Sequence, residues 1–417
     1  MKNVVTDNTN YANNNQNKTY EFFLMLFLTL YYGGSQVLST VSWGRYFLLG
    51  CMGGLILTFG AKSGMKLRLF FDKYLKWMIC FCLFCCISMV WALDSRIALE
   101  KLNTIFQIFV FSFIIYLIVR ETLNLNILIK PIIFGGIILF FYLLARYGYR
   151  GLIVLLQTGT RIGGNETGNA NGIGIYMVFS ILASLYEIFF EKIKVYHIFI
   201  VAMFVIVIAS SSRTSLLGLL VGICVLALFK FRELKKIRKI IYTLIFVIIG
   251  YVTLNFILSA SIFDSIRERL DDMLAAITGA GGDHSSNVRI EMIRLGFNEF
   301  LKRPLGGSGI GNSSVLLRNA GYTYAYFHNN YIEMLSCLGV IGTMIWYYPY
   351  VSYGRLLLKN KKRHDAYIPI TSSLCCSVLV MDVGAVSYYE KAVFFLIVIV
   401  FIQIARLKEN RINDDYE

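Results

Sequence analysis

FHNNYIEMLSCLGVIG, residues Phe327 to Gly342, carries a polar stretch directly into an apolar run. A His328-Asn329 pair opens it, and Gly339 and Gly342 follow in a Gly-x-x-Gly spacing. Read as a helix at about 100° per residue, eleven steps from His328 to Gly339 return to within about 20° of the same face, and Gly342 stays near it. Glycines on such a face let a neighbouring helix come close, which is how membrane bundles hold a polar group. The stretch therefore predicts a membrane helix entered from a polar loop at the membrane surface, with His328 above a glycine groove.

The rest of the chain agrees with a membrane setting. Its 417 residues are 57% hydrophobic and 15% aromatic with only four prolines, and the mean hydropathy is +0.63, too apolar for a soluble globular protein. The expected fold is an all-α polytopic membrane protein. Apolar runs bounded by charge clusters give about twelve transmembrane helices, beginning near Tyr20, Tyr46, Trp77, Asn103, Ile127, Gly172, Val195, Thr214, Ile240, Asn330, Tyr367 and Ala392. Lysines and arginines crowd the segments after spans two, eight and ten, among them Lys66, Lys235 and Lys361. By the positive-inside rule these segments are cytoplasmic, as are both termini. The domain expectation is a cytoplasmic tail at 1–19, a transmembrane domain at 20–407 with outer loops at 146–171 and 259–327, and a cytoplasmic tail at 408–417. The second outer loop is the long extracytoplasmic one between helices nine and ten.

The net charge of +15 is then mostly topological and gives no support to a nucleic-acid partner. All nine cysteines fall inside expected spans, so neither a disulfide framework nor a zinc spacing is implied. The polar, Asn-rich residues before Thr19 lack a cleavable apolar core, and the first span is expected to act as an uncleaved anchor.

Four outer elements concentrate polar chemistry. Arg161 begins a Gly/Asn-rich run that ends at Asn171; its exposed amides suit an anion or a sugar, or an ordinary solvated turn. Arg213 stands in a Ser/Thr cluster between two apolar runs, as a site residue with a phosphate-matching fork or as an interfacial anchor. Between Ser259 and Tyr326 two helices are expected. One follows the capping-box pattern at Ser265, and the other runs from about Ser286 to Lys302 and stops at Pro304, with Arg289 off its apolar stripe. Gly306 to Asn312, including Gly309, then form a flexible turn able to bring N–H groups near an anion; without a preceding strand or a Gly-Lys-Ser/Thr ending it is no nucleotide loop. His328-Asn329 is the fourth element. Asp382 and the Glu390-Lys391 pair read as simple interfacial charges.

Three arginines with one histidine, and no carboxylate pair or metal cluster, suit transfer at a pyrophosphate better than metal hydrolysis. In order and spacing these motifs resemble the O-antigen ligase and O-antigen polymerase superfamily of bacterial envelope proteins. Arg161 to Asn171 is similar to its Arg-x-x-Gly…Asn loop, Ser212-Arg213 to its Ser-Arg motif, and Arg289 with Arg303-Pro304-Leu305-Gly306-Gly307-Ser308-Gly309 to its Arg…Pro-x-Gly-x-Gly stretch. His328-Asn329-x9-Gly339-x-x-Gly342 matches the ligases' signature at each fixed place. Gly307 adds a residue to the simplest glycine spacing, and Asn169-Ala170-Asn171 lacks the proline often found between the two asparagines.

The resemblance implies a type C glycosyltransferase-like fold and a metal-independent, cofactor-free enzyme in the bacterial inner membrane, with its active site on the outer face. Its implied donor is an oligosaccharide on undecaprenyl pyrophosphate. His328, Arg289 and Arg213 would be catalytic, while Arg161, Asn171, Asn329 and Gly309 would bind substrate. For His328 the roles of general base and phosphate ligand both stand. The expected activity is polymerisation of O-antigen or capsular repeat units onto another lipid-linked unit, with a chain-length regulator as a further partner. Ligation to lipid A core or another surface acceptor is the alternative. A polysaccharide flippase would need paired intramembrane charges along a central path and an internal repeat, neither of which is evident.

Overall fold

A computed structural model describes residues 2–38, 41–63, 72–158, 160–163, 169–233, 284–359 and 365–414. In chain order the helices are α1 (Lys2–Ser35), α2 (Ser42–Ser63), α3 (Lys73–Ser88), α4 (Ser95–Thr122), α5 (Asn126–Thr158), α6 (Ala170–Phe190), α7 (Phe199–Ala209) and α8 (Arg213–Glu233). After the undescribed stretch come α9 (His284–Lys302), α10 (Ser313–Asn319), α11 (Asn330–Lys359), α12 (Ile368–Met381) and α13 (Lys391–Asp414). Among the described residues there is no strand.

Seven helices among the described residues are long and apolar enough to cross a membrane: Trp43–Ala61, Lys73–Trp91, Ser95–Thr122, Asn126–Thr158, Ala170–Phe190, Arg213–Arg232 and Asn330–Lys359. Val195–Ala209 and Ile368–Met381 are shorter apolar helices. The chain is a helical integral membrane protein. The expected count of about twelve is not reached among these residues. The spans foreseen near Tyr20 and Ala392 fall in α1 and α13. The ninth, near Ile240, lies outside the described residues, as does the helix after Ser265.

Two helices form the centre. Val393 to Ile402 of α13 are almost wholly buried on every face, and α6 is buried along most of its length. An apolar run without a polar side has this fate, because each face needs a helix against it. The peripheral helices instead point large apolar side chains outward, among them Leu57, Leu83, Phe106, Val201, Leu220 and Met344. Such exposure suits acyl chains as the surrounding solvent.

The connections sort into two ends. At one, Leu93 N–H donates to Ser308 O, Ile162 N–H to Ala209 O, and Lys391 Nζ to Ser35 O. At the other, Arg120 pairs with Glu409 at 2.8 Å and Arg406 with Asp365 at 2.9 Å, while Arg406 also donates to Leu123 O. The first end gathers the loops that carry Arg161, Arg213 and His328.

Two expectations change here. The outer loop predicted from Arg146 is helical through Thr158, with a break at Gly148 where φ is +67°. The apolar residues beyond that break bury Leu152 and Leu156, so the chain resumes a helix before turning. Likewise α11 is not one straight helix. Gly339 has φ +63° and ψ −168°, so the face shared by His328 and the glycines on an ideal helix does not exist.

Candidate active site

The break at Gly339 has a backbone cause. A Cβ there would lie 2.3 Å from Leu305 O, and one on Gly307, at φ +66°, would lie 2.4 Å from the Cys337 carbonyl carbon. Only glycine fits both the contact and the left-handed torsion. Through this approach Ser308 N–H donates to Ser336 O, Gly309 N–H to Cys337 O, and Val340 N–H to Pro304 O. The other side of the glycine segment is fastened by Trp91 Nε1 donating to Gly306 O, and by Asn312 Oδ1 accepting from Asp94 N–H at 2.7 Å. The turn expected to aim free N–H groups at an anion is therefore a buried splice. The amides of Gly307, Ser308 and Gly309 all end on carbonyls of the protein.

That splice positions the entry into α11. Glu333, buried in its first turn, accepts Ser313 Oγ at 2.6 Å and Phe327 N–H at 3.0 Å. Asn329 caps the helix by accepting Ile332 N–H, and its amide donates to Val383 O. Asn330 holds the facing turn. Its N–H and Nδ2 donate to Asp382 O and Asp382 Oδ2, and its Oδ1 accepts the N–H groups of Ser387 and Tyr388. Asp382, expected at an interface, is fully buried and also accepts from the Tyr347 hydroxyl at 2.7 Å.

Pinned at Phe327 on one side and at Asn329 and Asn330 on the other, His328 adopts φ +56°. A left-handed non-glycine residue costs on the order of 1–2 kcal/mol, a strain that persists only where the surroundings impose it and that clusters at functional sites. The ring is half-buried between Tyr326 and Tyr324, with centroids 4.4 and 5.7 Å away. Its Nδ1 is buried without a hydrogen bond. Burial, then the charges of Arg289 and Arg161, push the imidazole down to about 4. His328 is thus neutral at physiological pH, with a buried, unpartnered Nδ1 and the charges of Arg289 and Arg161 acting on the ring.

The two arginines arrive from different elements. α9 packs against the start of α11, where a Cβ on Gly296 would lie 2.3 Å from Ile332, and it presents Arg289 from its first turns. Arg161 is exposed beside the fully buried Ile162, whose N–H donates to Ala209 O. Arg213, half-buried at the start of α8, stands one loop away. Its neighbour Thr214 meets Gly384 in the turn that Asn329 grips through Val383 O. Among the expected residues, then, Arg161 and Arg289 both bring their charge to bear on His328, and Arg213 sits beside Thr214, which packs against the turn that Asn329 grips.

Asn171 is buried in the first turn of α6, where its N–H donates to the side chain of Asn169. The asparagine that reaches the site is Asn169, whose Nδ2 donates to the Tyr326 hydroxyl at 2.8 Å. Burial raises that hydroxyl's pKa, with Arg289 and Arg161 opposing. Glu390 lies across from them. Burial lifts its carboxyl to about 7 against the pull of Lys391 and Lys101, and its charge is felt at Tyr326. Tyr326, Asn169 and Glu390 escaped sequence reasoning, the first because an aromatic in a loop has no spacing signal, the last because its span-end position looked interfacial.

Residues 198–347 match the family model described as O-Antigen ligase. The matched segment contains Arg213, Arg289, Gly309, His328 and Asn329, while Arg161 and Asn171 lie before it. No curated protein matches the chain. The match spans the glycine splice and the pinned histidine, and this segment of the chain is similar to the O-antigen ligase family.

Proposed function

We propose that the protein transfers a glycan from undecaprenyl pyrophosphate to a hydroxyl of another lipid-linked repeat unit, at the outer face of the bacterial cytoplasmic membrane. What carries the reading is the neutral His328, its Nδ1 without a partner, under the charges of Arg289 and Arg161. The acceptor hydroxyl oxygen attacks the anomeric carbon, the bond from that carbon to the pyrophosphate oxygen breaks, and the electron pair leaves with the lipid pyrophosphate. Arg161, Arg289 and the flanking Arg213 stabilise the charge that grows there. A donor aimed at developing charge is worth roughly 3–4 kcal/mol, and the arginine fork matches phosphate oxygens.

The acceptor proton passes to His328. In the free site burial, and after it the charges of Arg289 and Arg161, make imidazolium unfavourable; a bound pyrophosphate offsets the arginines and returns part of the ring's basicity. The base is thereby coupled to donor binding, since it strengthens when the leaving group is in place. Asn329 serves as the cap that orients His328, and Asn169 with Tyr326 forms a polar wall suited to sugar hydroxyls. The reaction needs no cofactor in this form, and both termini would face the cytoplasm.

Polymerisation is favoured because α9 and α10 occupy the second half of the segment between Ser259 and Tyr326, leaving little chain for a separate acceptor-docking domain. The description of the matching family favours ligation to lipid A core or another surface acceptor as a second reading. Purified protein given lipid-linked repeat units and lipid A core together, in chelator, distinguishes them. Lengthening of the lipid-linked glycan is expected; transfer onto the core instead would make the protein a ligase, and chelator-dependent transfer would remove the metal-free mechanism.

A further inference from the structure

At the end of the bundle opposite His328, three helices converge on a groove. α3 begins there with Lys73, α11 ends there with Arg355 and Lys359, and α13 contributes Lys408. A cavity of about 210 Å³ lies among these four cations, with Tyr348 and Ser352 in its wall. Lys73 and Tyr348 also line a second cavity of about 320 Å³, which continues along the seam of α3 and α11 past Trp77, Cys80, Met344 and Ile345. Lys76 joins Lys73 in the wall of the second cavity, so the groove is cationic at its mouth and apolar beyond it along Trp77, Cys80, Met344 and Ile345.

The cations have little to neutralise them. The ion pairs at this end engage Arg120 and Arg406 instead, and among the described residues none reaches Lys73, Arg355, Lys359 or Lys408. Among the described residues no carboxylate lines either cavity. Lys408 feels Asp72, but the oxygens of Asp72 already accept from the Tyr116 hydroxyl and from the N–H groups of Tyr74 and Leu75. Lys73 and Lys408 also stand side by side. Topological lysines need only lie on the correct side of the membrane. Nothing in that rule brings like charges from three helices around one cavity with an apolar extension.

We propose that this groove binds an anionic phospholipid, with its phosphate among Lys73, Arg355, Lys359 and Lys408 and an acyl chain along Trp77, Cys80, Met344 and Ile345. Basic clefts between transmembrane helices hold acidic head groups in this way, through charge and hydrogen bonds that a zwitterionic lipid supplies only in part. A free anion would use the mouth but not the apolar continuation, so the lipid is the occupant that fits both. The bound lipid ties α3 to α11, the helix whose other end carries the His328 loop. The site is independent of the transfer reaction.

The test uses the purified, delipidated full chain. Retention of lipid is read by native mass spectrometry and thermal unfolding, with phosphatidylglycerol, phosphatidylcholine of the same chains, a polyprenyl monophosphate or inorganic phosphate added. Phosphatidylglycerol is expected to bind at least tenfold more tightly than phosphatidylcholine and to raise the melting temperature. K73Q/K408Q should bring it to the phosphatidylcholine level, and Lys73→Gln alone part of the way. K230Q/R232Q, which removes two charges elsewhere on the same end, should leave it unchanged. Equal binding of the two phospholipids, or equal loss in both double variants, would reduce the cluster to a topological signal. Competition by inorganic phosphate as strong as by phosphatidylglycerol would make it a free-anion site, and preference for the polyprenyl phosphate would replace the proposed occupant.

Discussion

Removing the charge of Arg289 should raise the pKa of His328. The ring sits at about 4 against an ordinary 6.5, which sets roughly 3 kcal/mol against imidazolium. Burial is the largest cause, so it persists in a variant; Arg289 is the next and Arg161 the third. Arg289→Gln should therefore recover a minor part of the shift rather than the whole of it. With four histidines in the chain, ¹⁵N-histidine labelling resolves the titration in detergent, and His328→Gln assigns the signal. In the wild type at pH 6.5 His328 would be almost wholly neutral. The sign for stability follows from the depressed value. As pH falls from 6.5 through 4, the unfolded chain takes up this proton before the folded one, so the contribution of neutral His328 is lost in acid. Undecaprenyl pyrophosphate should move the titration upward in the wild type and less in Arg289→Gln. A wild-type midpoint between 6 and 7, or no rise in the variant, would refute the coupling of base to donor.

Two further outcomes test the scaffold and the site wall. Gly307→Ala should cost about 2–4 kcal/mol, from a left-handed torsion and a collision with the Cys337 backbone, whereas Gly354→Ala, with nothing within 4 Å of the new Cβ, should gain up to about 1 kcal/mol; thermal unfolding in detergent gives both signs. Tyr326→Phe and Asn169→Ala should each slow transfer by roughly fivefold, the worth of one hydrogen bond of about 1 kcal/mol, and the double variant should lose little more than either single one.

Much of this arrangement is written locally in the chain. The apolar runs announce their helices because burial or lipid contact on every face requires it, and the helix ending before Pro304 follows from capping and proline chemistry. The order Arg161, Arg213, Arg289, His328 carries the site because alternate spans return each loop to the same end. What the sequence hides is long-range backbone contact. Gly307 and Gly339 look like a flexible loop and a helix groove, yet they are glycine because two backbones touch, and that contact breaks α11. Nothing in the spacing singles out Asn330 and Glu333, although they pin both flanks of His328. Asp382 reads as interfacial because its partners, Asn330 and Tyr347, come from another helix.

The most direct test is glycan transfer by the purified protein from an undecaprenyl-pyrophosphate donor, comparing the wild type with His328→Ala and Arg289→Gln at equal fold and expression. Release of undecaprenyl pyrophosphate with matched growth of the acceptor glycan is expected from the wild type, with loss of at least a hundredfold in each variant. Undiminished transfer by His328→Ala would contradict the central claim that this pinned, neutral histidine takes the acceptor proton.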